Sequence, residues 1–122
     1  MTKKRPPVLN GKTIKTKTEC GALYVTLNKD DNGELYETRF VLGKAGTCQN
    51  AMFNTLGVLF SILIQQGIPK DKLIRTLKKH MKGINCGTPF MRDDKKYQSC
   101  LDLIGVLISE ELEQSEPEKR ES

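Results

Sequence analysis

At 122 residues the chain has the length of one ordinary domain and is too short for two. Hydrophobic residues make up 37% and charged residues 29%, and the 6% aromatic content with no tryptophan excludes a large stacking platform for bases. The net charge of +5 favours an anionic partner. The longest apolar stretch, residues 52–64, is broken by Asn54, Thr55 and Ser61 and falls short of the ~20 residues of a membrane helix.

In chain order, "MTKKRPP" is a basic, proline-ended tail, expected to be disordered over residues 1–7. It lacks the apolar core of a secretory signal, so the expectation is a reducing cytoplasm, where stable disulfides are disfavoured. Asn10-Gly11 reads as a turn, followed by the β-branched alternation Thr13, Ile14, Thr16, Thr18. "ALYVTLN" sets Leu23, Val25 and Leu27 on one face and Tyr24 and Thr26 on the other. Asn32-Gly33 suits a hairpin reversal, and Tyr36, Thr38, Phe40 and Leu42 then alternate against Glu37, Arg39 and Val41. The pattern predicts a three-stranded antiparallel meander with one face covered.

From Thr47 the period becomes helical. Thr47 is placed to cap a first helix that Gly67 and Pro69 terminate. Its apolar residues, from Ala51 through Ile64, surround most of the cylinder, which marks a core helix or half of a subunit interface. Gly57 within it predicts close approach by another backbone. A second helix opens at Pro69 and stops at Gly83, with Leu73, Ile74, Leu77 and Met81 as its apolar stripe. Lys70, Lys72, Arg75, Lys78, Lys79 and Lys82 spread over the rest, a solvated face or a track for a nucleic-acid backbone. A third helix begins at "SCLD", where Ser99 and Asp102 have capping-box spacing, and buries Leu101, Ile104, Leu107, Ile108 and Leu112. The fold class is α+β: a three-stranded antiparallel sheet followed by three helices, one domain over residues 8–112, with a polar tail at 113–122.

Three features bear on chemistry. Cys20, Cys48, Cys86 and Cys100 each adjoin a turn or helix start, and four thiolates would hold Zn²⁺ tetrahedrally. No pair has the short C-x₂₋₄-C spacing of zinc modules, and free cysteine serves equally well as a small buried residue. "GKAGTCQN", residues 43–50, is a strand-to-helix turn or an anion cradle. In the second case Lys44, Gly46, Thr47, Gln49 and Asn50 would bind phosphate with the helix amides, Asn50 reaching a base or ribose. His80 is the only histidine, and no nucleophile–base pair accompanies it, so no catalytic constellation emerges.

Taken in order, "TECGALYVTLN", "LGKAGTC", "GINC" and "SCLD" resemble the TSCPD domain over residues 18–112. That domain occurs near the C-terminus of adenosylcobalamin-dependent ribonucleotide reductases and in small stand-alone proteins. Here Cys86-Gly87 stands for the family's Cys-Pro, and Cys100-Leu101-Asp102 for its Cys-Pro-Asp; the thiols remain although two prolines are gone. The resemblance implies an accessory module near nucleotides or nucleic acid, not a reductase. These 122 residues hold no large barrel, cobalamin site or C-x-x-C tail. The expectation is a non-enzymatic module contacting nucleotide or nucleic-acid phosphates, zinc-stabilised if the thiols converge. The alternatives are an accessory subunit of a ribonucleotide-metabolism enzyme and an oligomeric nucleotide-sequestering protein. A homodimer or larger homo-oligomer is expected through the first helix, Phe60 included, and no membrane association.

Overall fold

Alternation in the first third of the chain becomes sheet. The computed structural model describes residues 6–18, 20–43, 46–85, 87 and 89–114. Strands β1 (Asn10–Thr18), β2 (Gly21–Lys29) and β3 (Leu35–Leu42) form an antiparallel sheet in the order β1-β2-β3. Leu23 lies opposite Leu42, Val25 opposite Phe40 and Leu27 opposite Thr38, and all six are buried. Tyr24 and Arg39, one residue out of phase, are exposed. The expected one-sided meander is the one observed.

Helices α1 (Cys48–Gln65), α2 (Lys70–His80) and α3 (Cys100–Gln114) follow. The core forms where α3 meets the apolar face of the sheet: Leu103, Ile104 and Ile108 are fully buried with Leu23, Val25 and Phe40. Each such side chain contributes roughly 1.5–3 kcal/mol by leaving water. The stripe of α2 packs against α3 through Leu73 and Leu77, while Lys72, Arg75 and Lys79 stay exposed. At its far end α3 buries the Glu111 carboxylate, held by Lys12 at 3.1 Å and Lys29 at 2.6 Å, which ties it to β1 and β2.

Helix α1 takes a different place. It packs along β3, the strand at the end of the sheet order, and its side chains close that edge. Leu42 N donates to Asn50 Oδ1 at 3.1 Å, and Gln65 Nε2 donates to Tyr36 O at 3.1 Å. Between them the Ser61 hydroxyl accepts from Thr38 N at 2.9 Å and donates to Thr38 O at 3.0 Å. Gly57 makes the approach possible: a Cβ there would lie 3.1 Å from Phe40 N and 3.3 Å from Thr38 O. Consequently α1 buries Asn50, Gly57, Phe60 and Ser61 and exposes Met52, Val58, Leu59, Ile62 and Leu63.

Three local readings are corrected and one element is added. Asn10-Gly11 is strand rather than turn; Gly11 is where Asn28 and Leu27 O crowd any side chain. A second sheet, the hairpin β4 (Phe90–Arg92) and β5 (Lys95–Tyr97), lies between α2 and α3. Its turn is Asp93-Asp94, both with positive φ, and Arg92 Nε reaches Thr16 Oγ1 at 3.1 Å. On α3, Leu101 is only half-buried and Leu103 is in the core instead. The helix also runs two residues past Leu112. The tails assigned to residues 1–7 and 113–122 lie, except for 6–7 and 113–114, outside the described residues. Among those described, no helix is long and apolar enough to cross a membrane.

Candidate functional site

One end of the sheet gathers the segments that the sequence singled out. Its hub is the hydroxyl of Thr18, at the last position of β1. It donates to Gly21 O at 2.8 Å and accepts from Cys20 N at 3.0 Å, which shapes the β1–β2 turn around Cys20. Cys100 Sγ, at the start of α3, donates to the same oxygen at 3.6 Å. Gly43 follows β3 with φ 68°, and a Cβ on Gly21 would lie 3.3 Å from Gly43 Cα, so the two turns touch through glycine backbone.

The start of α3 is fixed by Asp102. Ser99 Oγ accepts from Asp102 N at 3.0 Å, the capping bond that the spacing predicts. The carboxylate does not return to Ser99: Oδ2 accepts from Gln98 N at 2.9 Å and Oδ1 from Gly83 N at 2.6 Å. A 6%-exposed carboxylate thus joins the end of α2 to the start of α3. Gly83 opens "GINC", so Asp102 holds the third motif against the fourth.

Between these segments lies a cleft of about 220 Å³ lined by Cys20, Leu42, Gln49, Met52, Phe53, Ile84, Ser99, Cys100 and Leu101. Every one of the four motifs contributes a wall. The cleft is predominantly apolar, and its volume is below the ~300–1,000 Å³ of sites that enclose a drug-sized ligand.

The expected ligand residues divide. Thr47 caps α1, its Oγ1 accepting from Asn50 N at 3.1 Å. Gly46 is exposed with φ 89°, and Gln49 is exposed and also lines the cleft. Asn50 is turned inward, its Oδ1 committed to Leu42 N. The first turn of α1 carries no acidic residue to offset its positive end. Lys44 lies outside the described residues.

The expected metal ligands divide as well. Cys20 and Cys100 face one cleft, the first half-buried and the second buried, whereas Cys48 is exposed in the first turn of α1. Cys86 lies outside the described residues, between Asn85 and Gly87. Among the described residues no three of His, Cys, Asp and Glu gather as a metal would require. Sequence reasoning did not find Thr18 or the reach of Asp102 to Gly83. The signal for the first was present in "TEC", a threonine two residues before a turn amide; nothing local announced the second.

No curated protein and no solved structure matches the chain. The sequence model of the TSCPD domain does, over residues 1–112, reaching further toward the N-terminus than the four motifs do. With nearly the whole chain matched and its motifs assembled around one cleft, the protein belongs to the TSCPD domain family.

Proposed function

We propose that this protein is a non-enzymatic binding module that contacts the phosphates of a nucleotide or nucleic acid at residues 43–50. The observation that carries the reading is the meeting of all four motifs at one cleft beside the uncompensated N-terminus of α1. Phosphate oxygens would take hydrogen bonds from the first-turn amides, with Lys44 adding charge and Gly46 allowing close backbone approach. Gln49, shared by turn and cleft, would bridge phosphate and ring. Asn50 then acts by holding the turn onto β3 rather than by touching ligand. The net charge of +5 agrees with such a partner. Titration calorimetry with inorganic pyrophosphate and with AMP tests this. Both should bind more weakly as salt rises, and Lys44→Ala should cost roughly 1–3 kcal/mol of affinity without loss of fold. Unchanged affinity in that variant, or binding of neither probe, overturns it.

Zinc is the second reading, favoured by the two thiols that line one cleft. A complete site would need Cys86, and Cys48 would have to turn from its exposed position to join it. Zinc would supply structural cross-linking of the four segments, not chemistry. One zinc per chain, lost with stability in Cys86→Ser, is the expected result; four thiols that all react in the native protein as purified overturn it. The module is also proposed to work as a homo-oligomer. Phe60, at 8% exposure, is buried within the single chain and offers such a contact little surface.

A further inference from the structure

Helix α1 carries apolar side chains on both its faces. Its inward face mixes Asn50, Gly57 and Ser61, matched to a sheet edge, with Phe60, and its outward face is also largely apolar. At about 100° per residue, positions 48, 52, 55, 59, 62 and 66 all fall within about 40° of the line opposite Gly57. The chain places Cys48, Met52, Thr55, Leu59, Ile62 and Gln66 there, and all six are exposed. From Cys48 through Gln66 there is no Asp, Glu, Lys or Arg.

We infer that this stripe is the contact with a second copy of the chain, the two α1 helices running antiparallel about a two-fold axis opposite Gly57. Three observations choose the occupant. First, the spacing along the stripe is 4, 3, 4, 3, 4 and so reads the same in both directions. An antiparallel copy sets Met52 on the partner's Ile62, Thr55 on the partner's Leu59, and Cys48 on the partner's Gln66, an isologous contact. Second, the stripe carries no charged side chain, so two identical copies meet there without like-charge repulsion. Third, the area suits a dimer. On the stripe Met52, Leu59 and Ile62 are 64%, 54% and 47% exposed, and Val58 and Leu63 on its two flanks are 58% and 42% exposed. Together they expose on the order of 500 Å², a large part of the ~800 Å² that each partner of a standard interface buries. A lipid surface is disfavoured because helices that lie on one carry Lys and Arg beside the apolar stripe, and α1 has none.

The inference rests on the proposed homo-oligomer but not on the phosphate site, and the test separates them. Sedimentation of the full chain at micromolar concentration should give twice the 13.8 kDa of one chain. Leu59→Lys, a change at an exposed position, should sediment as one chain with an unchanged circular dichroism spectrum. Gln66→Cys should form an intersubunit disulfide with native Cys48 on mild oxidation, and the same variant carrying Cys48→Ser should not. A 13.8 kDa wild type overturns both the oligomer and this surface. A dimeric Leu59→Lys protein overturns the surface alone, and the disulfide result decides the matter if that variant misfolds. A Cys48–Cys48 crosslink in the wild type overturns the antiparallel arrangement.

Discussion

Helices α1 and α3 are both rich in apolar side chains, yet they meet different parts of the sheet and bury different mixtures of side chains. Helix α3 meets the face of the sheet, where Leu23, Val25 and Phe40 project, and it answers with Leu103, Ile104 and Ile108. Helix α1 meets the edge, where the backbone of β3 has no neighbouring strand, and it answers with Asn50, Ser61 and Gln65. A sheet face asks for hydrocarbon; an edge asks for hydrogen-bond partners and close approach. What a helix turns inward is therefore set by the part of the sheet it meets, and apolar content alone does not reveal it.

Leu103→Ala on α3 should cost about 2–5 kcal/mol in urea denaturation, because a fully buried leucine leaves a cavity. A cost below about 1 kcal/mol would mean that α3 is not the core helix. On α1 the sensitive position is polar. Ser61→Ala should cost about 1–3 kcal/mol, since it strands the buried N–H and C=O of Thr38. Gly57→Ala sharpens the contrast through its sign. In an exposed helix this change gains about 1 kcal/mol, but here the added methyl meets backbone at 3.1–3.3 Å and should cost about 1 kcal/mol net.

The smallest effect lies in the acid limb of stability. Burial pushes the Glu111 carboxyl upward, but hydrogen bonds and charge from Lys29 and Lys12 outweigh it and hold the group below its ordinary value of 4.5. The folded state then binds fewer protons than the unfolded one. The contribution of Glu111 is complete above the ordinary value and disappears as pH falls through the lowered one. Glu111→Gln should flatten the fall of the urea midpoint below pH 4.5 while leaving its shape at neutral pH unchanged.

The sheet was legible because only one of its faces is covered, so alternation at period 2 survives in Leu23, Val25 and Leu27. Helices α2 and α3 were legible through Pro69, Gly83 and the Ser99/Asp102 pair, all of which act locally. The orientation of α1 was not, because it depends on which part of a distant strand the helix meets; only Gly57 hinted at it. The β4–β5 hairpin escaped because its strands have three residues each and its turn uses Asp93-Asp94 in place of a glycine pair. At the candidate site the motif segments were visible one by one. Their meeting was not, since Cys20 and Cys100 are far apart in sequence and come together through the fold, where both bond to Thr18 Oγ1.

Because side chains rather than a strand close the outer edge of β3, the amides of Thr38 and Leu42 are bonded to side chains of α1. Lifting that one helix opens both to solvent while the ladder between β2 and β3 stays intact. Their hydrogen-exchange rates therefore report the docking of α1 separately from the unfolding of the domain. The same opening uncovers a row of backbone donors and acceptors able to template an added strand. The chain keeps its aggregation hazard beneath its uncharged helix.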